Sequence, residues 1–268
     1  MGDQPLWVWG ATIGVVLALL VLDFVLAARR PHAVGVREAT AWSVFYVVVA
    51  VLFGLALWAG EGPGKGGEYF AGWLVEKSLS VDNLFVFVII MSRFAVPAEF
   101  QQKVLLFGIA LALVLRAVFI AVGAAAIETF DWTFLVFGGF LIWTAVQLFR
   151  HRDEDPEVGE GRLVGWARRR LPVSEGFVGN RILARVDGRR VVTPLFLVLL
   201  AVASTDVLFA VDSIPAVYGV TDDPFVVFAA NAFALLGLRA LYFLIQGLLE
   251  KLVYLSLGLS VILGFIGV

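Results

Sequence analysis

The stretch STDVLFAVDSIPA, residues 204 to 216, sets two aspartates, Asp206 and Asp212, in an apolar run that hydrocarbon would otherwise accept. A second stretch, EKSLSVDNLFVF from Glu76 to Phe87, repeats the anomaly with Glu76 and Asp82 and shares several of its letters. A carboxylate at the centre of a bilayer helix costs roughly 2.5 to 3.5 kcal/mol on insertion scales. Four of them in two otherwise apolar segments call for a use.

The surrounding composition identifies the solvent. Of the 268 residues, 61% are hydrophobic and 16% charged, and the mean hydropathy is +0.95. These values exclude an ordinary soluble core and indicate a polytopic membrane protein. There is no cysteine, which removes disulfides, thiolate metal sites and thiol catalysis. The N-terminal segment lacks a basic n-region and stays apolar too long for a signal peptide, so it is expected to be a retained span rather than a cleaved leader.

A bilayer core takes about 20 apolar residues per helix. Eight stretches qualify: 6–28, 41–59, 69–92, 104–127, 132–149, 192–218, 224–249 and 252–268, with a ninth left open beyond Val268. With the N-terminus outside, 16 of the 20 basic residues fall in interior loops, ten of them arginines between Arg150 and Arg190, and the positive-inside rule fixes that orientation. The segment 150–191 is the one sizeable soluble piece. It predicts a short basic helix around Trp166 and a hairpin turning at Asp187-Gly188, and its arginines set topology and meet lipid headgroups. The outer EGPGKGGE has the wrong spacing for a phosphate loop and reads as a connector.

Overlaying the two acidic stretches aligns Ser80, Asp82, Leu84 and Phe85 with Ser204, Asp206, Leu208 and Phe209 at an offset of 124. LVLRAVF around Arg116 then matches LGLRALY around Arg239 at 123, and Glu128 with Trp132 matches Glu250 with Tyr254 at 122. Three consecutive spans therefore recur. An odd number of spans makes the second copy enter the membrane upside down, the inverted-repeat plan of secondary transporters, with the substrate site near the midplane. The expected fold is an all-α bundle: two N-terminal helices over 1–68, a first three-helix repeat over 69–149, the Arg-rich loop 150–191, and an inverted repeat over 192–268.

Inversion displaces Glu76 and Asp212 toward the same side of the central pair Asp82 and Asp206, each by six residues or about 9 Å. If Arg116 and Arg239 both face this vestibule, two negative charges remain, and a divalent cation would balance them. His32 and His151 both lie in interior loops, which disfavours an imidazole-rich zinc or copper site. Carboxylates with Ser80, Asn83 and Ser204 suit a hard ion such as Mn2+, Mg2+ or Ca2+. Acids six residues apart differ by 240 degrees around a helix, so some unwinding is expected. Pro215 cannot donate to the Val211 carbonyl, which would become a further oxygen ligand beside Asp212. Asp23 could join a cation path or snorkel to the interface. Asn231, Gln147 and Gln246 read as interhelical hydrogen-bonding residues more readily than as ligands.

EKSLSVDNLFVF, TPLFLVLLAV, STDVLFAVDSIPAV and FALLGLRALYFL, at these spacings, resemble the TerC family of integral membrane proteins, which includes the Alx-type manganese exporters. The resemblance runs over nearly the whole chain from about Asp23, and it implies a bacterial-type inner-membrane protein linked to manganese efflux and tellurium resistance. The family's intramembrane acids match Glu76, Asp82, Asp206 and Asp212, while the end at Val268 departs from the family pattern and leaves the last span open. The expected function is a non-enzymatic Mn2+ exporter working by alternating access, with proton exchange on the buried acids as its coupling. Its partners are the bilayer and a divalent ion, and no nucleic acid. A scaffold or metalation factor acting with partner proteins is the first rival, and an exporter of organic solutes the second.

Overall fold

The computed structural model of the chain describes residues 4–29, 34–130, 132–133, 135–139, 142–143, 162–186 and 188–247, the side chains of 26–29, 162, 186 and 212 excepted. Helices α1 (Leu6–Arg29), α2 (Val36–Glu61), α3 (Pro63–Arg93) and α4 (Ala98–Thr129) follow one another through short connections. A short helix α5 (Arg162–Arg170) and an antiparallel hairpin, β1 (Leu183–Val186) and β2 (Arg189–Val192), lead into α6 (Pro194–Tyr218) and α7 (Pro224–Leu235). Proline occupies the first position of α3, α6 and α7, where its missing N–H would be unpaired in any case.

Among the described residues, five segments are long and apolar enough to cross a membrane: Leu6–Val25, Val36–Glu61, Ala98–Thr129, Pro194–Tyr218 and Pro224–Gly247. They coincide with the first, second, fourth, sixth and seventh predicted spans. The third predicted span falls on α3, whose 31 residues reach about 46 Å at the helical rise, but Glu76, Lys77 and Asp82 dilute its apolar character. Of the fifth, 132–149, only part is described, and the eighth, 252–268, lies outside the described residues. The basic helix around Trp166 and the hairpin appear as α5 and β1–β2. Val186 faces Arg189 across the two-residue turn, and Gly188 adopts φ +80, which that turn requires.

Burial follows hydrophobic pattern. Helices α1 and α2 leave Leu17, Val21, Val44, Leu52 and Leu55 exposed on one side, the face a bilayer would cover. α7 is apolar all round, and every residue from Phe225 to Leu235 is buried, so it forms the axis of the bundle. α3 packs chiefly on α7, with α2 and α6 beside it, and α4 packs chiefly on α6. One core layer gathers Tyr46, Tyr69, Trp73, Tyr218 and Phe233, and the other Leu84, Phe87, Leu105, Leu195 and Tyr242. Trp7 at the start of α1, Trp58 near the end of α2 and Trp132 past the end of α4 are exposed at one end of the bundle, as interfacial tryptophans are.

The expected break at Pro215 is absent: α6 remains helical from Pro194 to Tyr218. The interruption lies one span later. α7 stops at Leu235, Leu236 takes an extended ψ of 133, Gly237 adopts φ +82, and helix resumes over 238–247. Gly237 serves two purposes here, because a Cβ there would also stand 2.7 Å from Cβ of Tyr46.

Candidate functional site

Glu76 on α3 is fully buried, and its surroundings account for both carboxylate oxygens. Ser80, one turn further along α3, donates to Oε1 at 3.3 Å. Asn231 of α7 donates Nδ2 to Oε2 at 3.1 Å. Arg116 of α4 forms an ion pair through Nη1 with Oε1 and donates the same group to Asn231 Oδ1 at 2.9 Å. Arg116 Nη2 lies 3.8 Å from Asp206 Oδ1 on α6. One guanidinium thus joins carboxylates from two helices, with Asn231 of a third bridging it to Glu76.

All five side chains are nearly inaccessible, with exposures of 0% for Glu76 and Ser80, 1% for Arg116 and Asn231, and 3% for Asp206. Hydrogen bonding is complete on the Glu76 side and incomplete on the other. Asp206 Oδ2 and Arg116 Nε and Nη2 have no hydrogen-bond partner among the described residues. Unpaired polar atoms this deeply buried are costly and mark a place where another group could be accommodated. Two carboxylates and one guanidinium leave one net negative charge.

The remaining predicted ligands are distributed differently. Asn83 is buried seven residues from Glu76, on the same face of α3. Asp82 is exposed and has no ion pair among the described residues. Ser204 donates to the Ala201 carbonyl at 2.9 Å. Val211 is 36% exposed within α6, and the Asp212 side chain lies outside the described residues. Among the described residues no three His, Cys, Asp or Glu side chains gather as a metal site.

Arg239, the repeat counterpart of Arg116, sits elsewhere. It grips Asp23 of α1 in a bidentate pair, Nε at 3.0 and 3.1 Å and Nη2 at 2.5 Å, with Gln102 Oε1 3.5 Å from Nη1. Gln102 and Arg116 are 14 residues apart on α4, about 21 Å, so the two arginines serve separate networks. Asn231 makes the interhelical hydrogen bonds expected of it, but at the cluster itself, and Asp23 neither joins the cluster nor snorkels, since it pairs with Arg239. Their signal was a polar residue in an apolar span, which helix-packing residues share.

Long apolar helices enclosing neutralised charges define an α-helical, polytopic membrane protein. Its sequence matches the Integral membrane protein TerC family over residues 61–268, and the chain belongs to that family. It is 49% identical to an uncharacterized membrane protein of Mycobacterium tuberculosis over its whole length and 68% of that relative. A Myxococcus xanthus uncharacterized membrane protein is 46% identical over 97% of the chain and 81% of the relative. The putative membrane-bound redox modulator Alx of Escherichia coli K12 is 41% identical over 97% of the chain and 84% of its own length. No solved structure matches.

Proposed function

We propose that this protein carries a divalent metal cation across the membrane through the Glu76–Arg116–Asp206 cluster. Mn2+ is the first candidate, with Mg2+ and Ca2+ as the other hard ions that carboxylate, hydroxyl and amide oxygens suit. One observation carries the reading: two buried carboxylates from different helices share a single guanidinium, and that guanidinium is tethered to a third helix. Arg116 is then a resident cation. When it withdraws, two negative charges remain, and a divalent ion neutralises them with no further proton or counter-ion. Asn83, buried on the Glu76 face of α3, supplies a further oxygen beside that centre; Asp82, Ser204, the Val211 carbonyl and Asp212 would join it only if α3 and α6 unwind in another state of the transport cycle.

The eight-span, inverted-repeat plan belongs to the same reading. The crosswise packing of α3 on α7 and of α4 on α6 is what two mirrored units would produce. The direction is outward from a bacterial-type inner membrane with the N-terminus outside, and proton exchange on the vacated acids supplies the coupling. The link to metal homeostasis follows from ion efflux, whereas tellurium resistance rests on the family resemblance alone and defines no transported substrate. Redox modulation, as in the name of the Alx relatives, would reach this chain through its metal and not through thiols, because the chain has no cysteine. A scaffold or metalation factor would instead use the exposed arginines of α5 and the hairpin, Arg169, Arg170, Arg185, Arg189 and Arg190. An organic-acid exporter is disfavoured by the net negative charge of the cluster.

Purified protein in liposomes loaded with a Mn2+-sensitive dye tests the reading. The parent should move Mn2+ and respond to a pH gradient, and Glu76→Gln and Asp206→Asn should each lower the rate at least about tenfold, as loss of a charged ligand of about 1.4 kcal/mol or more would. Parent-like flux in both variants would refute the site. No flux from the parent, together with a stoichiometric partner crosslinked in cells, would favour the scaffold.

A further inference from the structure

The interrupted span exposes two backbone ends inside the bundle. At such a break the last carbonyls of the first half and the first N–H groups of the second lack intrahelical partners, and the helix dipoles leave partial negative and positive charge there. The Ala232 carbonyl still accepts the Leu236 N–H at 3.1 Å. The Ala234 carbonyl accepts instead from Nζ of Lys77, 3.1 Å away on α3. Lys77 is half-buried and has no ion pair among the described residues, so its charge is spent on the carbonyl end of α7. On the amide end, Asp23 holds Arg239, the second residue of the resumed helix. The ammonium therefore faces the negative end of the break, while Asp23 is held by the Arg239 side chain.

The carbonyl end of a discontinuous transmembrane helix is where carriers driven by Na+ bind that ion. Here the position is taken by a tethered ammonium, a compact charge with three donors. We propose that Lys77 replaces a coupling monovalent cation at the interruption of α7, so that the protein works without Na+ and acquires a Na+ site when the ammonium is removed. This inference rests on the transport reading above and adds to it a positioning role. Lys77 follows Glu76 directly on α3, and α7 carries Asn231, whose amide bonds both Glu76 and Arg116. Fixing the end of α7 against α3 keeps that amide in register with the ion centre.

Thermal melting of the full chain in detergent, in NaCl against choline chloride at equal ionic strength, tests it without requiring flux. The parent and Lys77→Arg should melt identically in the two salts. Lys77→Ala and Lys77→Gln should melt about 3 °C higher in NaCl once Na+ reaches about ten times its dissociation constant, and should bind 22Na+ where the parent does not. A parent whose melting or Mn2+ flux depends on Na+ overturns the proposal, as do variants indifferent to Na+. If neither variant folds, the parent's response decides. Failure of Mn2+ transport with a Na+ site gained in the variants would sink the transport reading alone.

Discussion

Removing the Arg116 guanidinium leaves Glu76 and Asp206 buried with no other counter-charge in contact among the described residues. Breaking a buried ion pair from one side typically costs about 3 to 5 kcal/mol, a large fraction of the roughly 5 to 15 kcal/mol that holds a folded domain together. Arg116→Leu should therefore lower the melting temperature strongly in metal-free buffer, and added Mn2+ should recover more of it than Mn2+ adds to the parent. Equal Mn2+ effects on both would contradict a shared place for guanidinium and ion. The double change Arg116→Leu with Glu76→Gln should cost less than the sum of the two, since it removes both partners. Glu76 and Asp206 were legible in the sequence because an acid in an apolar run has no cheap explanation. Arg116 and Arg239 were equally conspicuous, yet only three-dimensional packing sends one to Glu76 and the other to Asp23.

Among the elements, α2 and α3 approach closely enough that glycine becomes a packing requirement. A Cβ on Gly66 would stand 2.8 Å from the Trp58 Cα, and one on Gly54 would stand 2.7 Å from the Tyr69 ring. Gly237 combines such an approach to Tyr46 with a positive φ. Gly237→Ala should destabilise by about 1 to 3 kcal/mol through backbone strain and overpacking, whereas Gly10→Ala, where a Cβ meets nothing within 4 Å, should be neutral or slightly stabilising. Melting curves of the two variants side by side check this. The sequence directed attention to Pro215 as a helix breaker, since proline removes a donor wherever it stands. α6 accommodates it, and the Gly219 N–H still reaches the Pro215 carbonyl at 3.0 Å. The actual break sits at a glycine, and glycines are too common in membrane helices to announce one.

Over the whole molecule, the α6–α7 connection is fastened to the start of α3. Lys65 pairs with Asp223, which also caps α7 by accepting from the Phe225 N–H at 2.9 Å, and Thr221 donates to Glu68 at 2.6 Å. Burial alone would lower the Lys65 pKa. The hydrogen bond and charge of Asp223, with Glu68 and Asp222 behind them, more than offset it and hold Lys65 above its ordinary 10.5. A raised lysine pKa stabilises fully below the unfolded value and loses that contribution as pH rises through the folded one. The melting difference between parent and Lys65→Gln should stay constant from about pH 7 to about pH 10 and shrink above that. The absence of native cysteine makes orientation equally accessible to test. With the N-terminus outside, Gly64→Cys should react with an impermeant maleimide on intact cells and Arg170→Cys only after permeabilisation; the reverse pattern would invert the proposed topology.

The sequence by itself determined the membrane class, the approximate positions of the helices that the structure describes, the basic helix and the hairpin, because each follows from local composition and spacing, and whole motifs carried the resemblance to the family. Hydrocarbon demands about 20 apolar residues whatever their neighbours, and a two-residue turn demands its glycine. Tertiary structure alone decided which charges meet, that Asn231 bridges Glu76 and Arg116, and that the seventh span breaks where Lys77 can cap it. Those outcomes depend on the rotation and depth of one helix against another, which close packing across the interface sets and no single segment encodes.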